Sequence, residues 1–173
     1  MNDKRLVIIR HGKAEKNDFN DFDRNLNKRG ITDCNSIGQV IYKLLGCPQI
    51  LISSPAKRAI KTASIIAEVC QYKKVIQEFD FLYPGNVNSI QMAIDELNDS
   101  IDYVIIVGHN PYFEETVSRL VFKKGSEIEM PTSCAVSIKS NVKSWKDFSA
   151  EENHQIEWIL TPRLIAASQN LQI

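Results

Sequence analysis

The sequence predicts a three-layer α/β/α sandwich on a mostly parallel central sheet. Two observations carry that expectation. Short, wholly apolar runs alternate with segments of helical period from residue 4 to residue 122, the order of an α/β fold. The runs Leu6–Ile9 and Tyr103–Val107 have no polar face, as strands covered by helices on both sides require. Right-handed crossovers between such strands bring every strand-to-helix turn to one edge of the sheet.

The elements follow in order. Residues 4–10 form the first strand, which ends in Arg10-His11-Gly12. Residues 13–26 lack a period and read as a polar loop pinned by Phe19 and Phe22; a loop of that length in a compact domain is often functional. Ile31, Cys34, Ile37, Ile41, Leu44 and Leu45 recur at helical spacing, so a helix runs from Asn27, its cap, to Leu45, where Gly46 and Pro48 stop it. Gln49–Ser53 is a second buried strand. Ser54-Pro55 is a helix start, with Ser54 as cap and Pro55 in the first turn, and the helix continues to about Cys70. Lys74–Gln77 reads as a short third strand, residues 78–85 as a connection rich in acids and aromatics, and residues 88–98 as a helix. Tyr103–Val107 is the most hydrophobic strand and ends in Gly108-His109-Asn110-Pro111. There Asn110 caps, and Pro111 starts, a helix to about Phe122. Ala135–Lys139 and Gln155–Leu160 alternate in polarity and read as half-exposed strands of a hairpin or edge pair.

Length and composition bound the function classes. The 173 residues fit a single domain spanning 1–173, with 43% hydrophobic and 24% charged residues. Lys plus Arg and Asp plus Glu are 21 each, which gives no support to nucleic-acid or anionic-membrane binding. The four cysteines, Cys34, Cys47, Cys70 and Cys134, form no close pair, and only three histidines accompany them. Zinc is not expected, and the cysteines read as reduced thiols of a cytoplasmic protein. The apolar run near the N-terminus is too short for a secretory leader, and no stretch approaches the length of a membrane span.

Three turns carry polar residues that a fold alone does not need: Arg10-His11-Gly12, Ser53-Ser54-Pro55 with Arg58 just beyond, and Gly108-His109-Asn110-Pro111. Each of His11, Arg58 and His109 taken singly reads as readily as an ordinary strand-end or helix residue. Their placement on one predicted edge describes an anion pocket. Helix N-termini supply free amides, and Arg10 and Arg58 supply planar forks matched to phosphoryl oxygens.

Together, Arg10-His11-Gly12, Ser54-Pro55-x-x-Arg58-Ala59-x-x-Thr62-Ala63 and Gly108-His109-Asn110-Pro111 resemble the histidine phosphatase, or phosphoglycerate mutase-like, superfamily. Within it the short chain looks like the phosphohistidine phosphatase SixA branch. Arg24-Asn25-Leu26-x-x-Arg29-Gly30 is similar to that branch's Arg-Pro-Leu…Gly element, with Asn25 in place of proline, and Leu160-Thr161-Pro162-Arg163 looks like a family ending.

The resemblance implies a metal-independent, cofactor-free phosphatase. His11 would be the nucleophile, and Arg10, Arg58 and His109 would bind the phosphoryl oxygens. Gly12 would allow close backbone approach and hold the His11 tautomer through its carbonyl. A general acid for ester substrates would come from the connection after the third strand, where Asp80 lies nearer the family position than Glu78. The short connections leave an open pocket suited to a phosphorylated protein, so the expected substrate is phosphohistidine in a signalling or phosphotransfer protein. Two alternatives stand beside it: a small-molecule phosphomonoesterase using Asp80, and a non-catalytic phosphoryl-binding module. Lys13, Lys16, Lys57 and Lys61 read as solvated side chains available to an acidic partner.

Overall fold

A computed structural model describes residues 3–16, 20–122 and 128–170. The anchoring role expected of Phe19 lies outside the described residues. The elements are β1 (Lys4–Arg10), α1 (Lys28–Leu45), β2 (Ile50–Ser53), α2 (Lys57–Val69), β3 (Gln77–Glu78), α3 (Ser89–Asp95), β4 (Tyr103–Gly108), α4 (Tyr112–Phe122), β5 (Ala135–Ser140), β6 (His154–Leu160) and α5 (Pro162–Asn170). The sheet order is β3-β2-β4-β1-β5-β6. β1, β2, β3 and β4 are mutually parallel, whereas β5 runs antiparallel to both β1 and β6. The expected sandwich with a mostly parallel sheet is the fold observed.

Alternation along the strands builds two cores, because successive side chains point to opposite faces of a sheet. Leu6, Ile8, Val104 and Ile106 pack with Ile90 of α3 and Phe113 and Val117 of α4 on one face. Val7, Ile9, Ile105 and Val107 pack with Ile37 and Ile41 of α1, Ala63 and Ile66 of α2 and Ile165 of α5 on the other. β1 and β4 are thus apolar on both faces for the reason the sequence indicated. Among the described residues, no helix is long and apolar enough to cross a membrane.

The helix start at Asn27 forms as expected: its side-chain oxygen accepts from the Gly30 amide at 2.8 Å. Gly46 ends α1 with φ 73°, the positive region that glycine enters without strain. Four local expectations are revised. β3 is confined to two residues at 77–78, and α3 ends at Asp95. β5 is buried and not half-exposed, because Val136 and Ile138 pack into one core and Ala135 into the other, while the edge of the expected pair falls to β6. A fifth helix, α5, follows Thr161, whose hydroxyl accepts from the Leu164 amide at 3.2 Å.

Candidate active site

The three strands whose ends carried the polar turns are neighbours, in the order β2, β4, β1. Arg10 stands beside Gly108 and Ser53 beside Val107 in the register, so all three turns leave the sheet at one level. This is the crevice outside the carboxyl ends of the strands, where open α/β sheets place their ligands. The His11 amide donates to the Gly108 carbonyl at 2.9 Å and the Ser54 amide to the Val107 carbonyl at 2.9 Å, which locks the turns together.

His11 lies at the centre. Its Nδ1 is 2.7 Å from the Gly12 carbonyl, so the ring proton sits on Nδ1. The lone pair of Nε2 then accepts from Arg58 Nε at 3.1 Å. Burial is the main cause that lowers His11 from its ordinary 6.5 to about 4, and the charges of Arg58, Arg10 and Arg24 add to it against the Gly12 hydrogen bond. At neutral pH the ring is therefore uncharged, with the tautomer that presents Nε2 as a nucleophile.

Gly12 is required by packing. A Cβ there would lie 2.6 Å from Cys34 Sγ and 3.0 Å from the Gly30 carbonyl. Below it, the Gly12 amide donates to Thr62 Oγ1 at 3.0 Å, and Thr62 donates to the Arg58 carbonyl at 2.7 Å. Gly30 meets the same segment from α1, where an added Cβ would stand 2.7 Å from the Lys13 nitrogen. Backbone cannot yield there as a side-chain tip can, so Gly30→Ala is expected to cost about 1–3 kcal/mol by overpacking. Chemical denaturation of the variant checks this, and an unchanged midpoint would refute the tight seat under His11.

His109 lies with its ring centroid 5.0 Å from that of His11. Ser54 Oγ is 2.7 Å from His109 Nε2 and 3.4 Å from the Ala56 amide, which it accepts. With the serine proton given to Nε2, the neutral ring carries its own proton on Nδ1. That buried Nδ1 has no hydrogen-bond partner among the described residues. Burial lowers His109 to about 3, with His11 and Arg58 adding to the effect and Asp21 opposing it. Ser54 is thus turned to the histidine instead of serving as the main cap of α2, which begins two residues later than the sequence indicated, after Ala56. Asn110 is likewise drawn away from capping α4: its side-chain amide donates to the Met130 carbonyl at 3.0 Å.

Arg10 Nη1 donates to the same Met130 carbonyl at 2.7 Å. Its Nε is buried and has no hydrogen-bond partner among the described residues. Buried polar groups are rarely left in that condition. Here two buried nitrogens from adjacent strand ends, Arg10 Nε and His109 Nδ1, remain unpaired beside a neutral imidazole.

Arg58 is 5% exposed, and each of its three nitrogens donates a hydrogen bond. Besides His11, its Nη2 donates to Asp21 Oδ2 at 2.8 Å and its Nη1 to the Asp21 carbonyl. Tyr83 covers it, with the guanidinium carbon 5.7 Å from the ring centroid, and donates its hydroxyl to Asp21 Oδ2 at 2.8 Å. The Tyr83 ring also packs edge-on against His109, with centroids 5.4 Å apart, and against Phe22 at 5.1 Å. Arg24 Nη1 holds the other Asp21 oxygen at 2.9 Å.

The structure brings Arg10, His11, Arg58 and His109 into one cluster. Asp80 is exposed in a short 3₁₀ turn over Asp80–Leu82, and the side chain that this connection delivers to the cluster is Tyr83. Lys13, Lys16, Lys57 and Lys61 are exposed, and Lys57 pairs with Asp23 at 2.9 Å. The sequence reading missed Asp21, Tyr83 and the Met130 carbonyl. The loop of residues 13–26 is long enough to suggest a function, and Asp21 is the residue through which it enters the site. Among the described residues, no group of three or more His, Cys, Asp or Glu is placed to hold a metal ion.

Fold and cluster together define an α/β protein whose sheet edge gathers two arginines and two histidines in one crevice. The sequence profile of the histidine phosphatase superfamily (branch 1) matches residues 6–82, which include Arg10, His11 and Arg58 and stop short of His109. The solved structure of the protein histidine phosphatase SixA complexed with tungstate is similar, with TM-score 0.80 and 18% identity over 93% of this chain and 99% of that one. An uncharacterised chloroplastic protein of Arabidopsis thaliana is 25% identical over 92% of this chain and 78% of its own length. A 2,3-bisphosphoglycerate-dependent phosphoglycerate mutase of Nautilia profundicola is 43% identical over a shorter stretch, 37% of this chain and 30% of that protein. Over residues 6–82 the chain is similar to the histidine phosphatase superfamily (branch 1), and its fold is that of the SixA structure.

Proposed function

We propose that the protein is a phosphatase that forms a phosphohistidine on His11 Nε2 and acts on phosphohistidine in a signalling or phosphotransfer protein. The observation that carries this reading is the pair of buried, unpartnered nitrogens, Arg10 Nε and His109 Nδ1, beside a neutral His11 whose Nε2 lone pair faces Arg58 Nε. Phosphoryl transfer needs a positioned nucleophile and fixed donors for the equatorial oxygens more than it needs proton transfer.

In the first step the Nε2 lone pair forms a bond to phosphorus. The bond from phosphorus to the substrate nitrogen breaks, and its electron pair leaves with the substrate imidazole. Arg58 Nε, released from Nε2, turns its N–H to a phosphoryl oxygen, where Arg10 Nε and His109 Nδ1 also donate. In the second step a water oxygen attacks phosphorus, the P–N electrons return to Nε2, and the water's proton passes to phosphate or solvent. Splitting the transfer in two is the advantage of covalent catalysis.

The leaving group favours phosphohistidine. An imidazole leaves without a dedicated acid, whereas an alkoxide needs a proton. Asp21, the carboxyl beside Arg58, is held at about 2 and is ionised, since hydrogen bonds from Arg24 and Tyr83 and the charge of Arg58 outweigh its burial. The SixA relative is described as a protein histidine phosphatase, in keeping with this choice. The test compares hydrolysis of a phosphohistidine protein with that of p-nitrophenyl phosphate, in the wild type and in Asp80→Ala. Preference for phosphohistidine, unchanged in the variant, is expected; strong ester turnover lost with Asp80 would establish the monoesterase instead.

The pH dependence has a fixed sign. His11 attacks in its neutral form, and burial lowers its pKa from 6.5 to about 4. The kcat/KM should therefore persist as pH falls through 6.5 and decline only on approaching about 4. Corrected for spontaneous hydrolysis, a limb near the ordinary histidine value would contradict the partly buried, neutral nucleophile.

A further inference from the structure

Asp21 occupies an unusual place for an anion-binding site. Arg58 offers two donors along one edge of its guanidinium, Nε and Nη2. Nε goes to His11 Nε2 at 3.1 Å and Nη2 to Asp21 Oδ2 at 2.8 Å. That edge is the fork that would receive a phosphoryl group bound at His11. The carboxylate is fixed there: Tyr83 donates to Oδ2 at 2.8 Å and Arg24 to Oδ1 at 2.9 Å. It also lies near enough to His109 to oppose the lowering of that ring by burial. A phosphoryl group in this pocket therefore shares its principal arginine with a resident negative charge.

We propose that Asp21 is the specificity-determining residue of the pocket: its carboxylate, sharing the donor edge of Arg58 with the bound phosphoryl group, selects N-linked phosphoryl groups over free phosphate and oxygen esters. This rests on the reading of the cluster as a phosphoryl seat. An N-linked phosphoryl group carries a leaving ring whose second nitrogen bears a proton in the reactive form. That positive N–H is attracted by the carboxylate. Free phosphate and ordinary esters bring only more negative charge, and the same carboxylate opposes them. Arg58 does not depend on the Asp21 charge alone for its position, because the Asp21 carbonyl, the Tyr83 ring and His11 hold it as well.

The experiment measures inorganic phosphate affinity by calorimetry on wild type, Asp21→Asn and Asp21→Glu, with kcat/KM for phosphoimidazole and for p-nitrophenyl phosphate. Removing the charge while keeping the shape should tighten phosphate about tenfold, since a like charge a few ångströms away at the protein surface is removed. It should also reduce the phosphoimidazole-to-ester ratio about tenfold. Asp21→Glu, which keeps the charge one methylene further out, should shift both quantities less than Asp21→Asn does. Weaker phosphate binding in Asp21→Asn, with both substrates falling together, would make Asp21 only a support for Arg58 and overturn the proposal. So would no change in either quantity. If wild type neither binds phosphate nor becomes phosphorylated, it is the phosphoryl-seat reading that fails.

Discussion

His11→Ala is expected to lower kcat/KM by at least about 10⁴-fold, because it removes the proposed acceptor of the phosphoryl group. The fold should survive. His11 is partly exposed at the strand end, and the contacts that join the turns, His11 amide to Gly108 carbonyl and Ser133 amide to His11 carbonyl, are made by backbone. Arg10, Arg58 and His109 would remain, so the variant should still bind phosphate. A steady-state assay against a phosphohistidine protein, paired with a phosphate titration, checks both halves. Retention of more than a hundredth of wild-type turnover would show that another group, or water, is the nucleophile.

Arg58→Lys should cost about 10³-fold in kcat, the lower end of the effect of a transition-state arginine. Charge alone is not what this residue supplies. One planar fork reaches His11 Nε2, the Asp21 carboxylate and the Asp21 carbonyl at once, and a lysine ammonium offers a point charge without that geometry. The loss should fall mainly on kcat, since Arg10 Nε and His109 Nδ1 still receive the ground-state anion. Kinetics that show a raised KM with unchanged kcat would assign Arg58 to binding only.

Much of the site was legible in the sequence because its chemistry sits where strands stop. A buried strand has no packing reason to end in Arg10-His11 or Gly108-His109, and parallel order brings such ends together. Arg58 was visible through its spacing from Ser54-Pro55. What stayed hidden depends on chain path and not on residue type. Asp21 is one of several acids in an aperiodic loop, and only the fold singles it out by laying it against Arg58. The Met130 carbonyl that holds Arg10 and Asn110 is a backbone group any residue could provide. Ser54 and Asn110 carry cap signals, but His109 and Met130 offer their side chains better partners. The alternation of Ala135–Lys139 marked a strand of the edge pair correctly yet left it half-exposed, since its serines and lysine do not show that Ser137 and Ser140 are buried.

The claim on which the account turns is that His11 Nε2 carries the phosphoryl group. The direct measurement is rapid quenching of the working enzyme with a labelled phosphohistidine substrate, followed by mass-spectrometric mapping and a stability test of the modified peptide. A transient phosphoryl group on His11 is expected, stable to base, labile to acid and missing from His11→Ala. Turnover at a normal rate with no phosphoryl group on His11, or with the label on another residue, would contradict it.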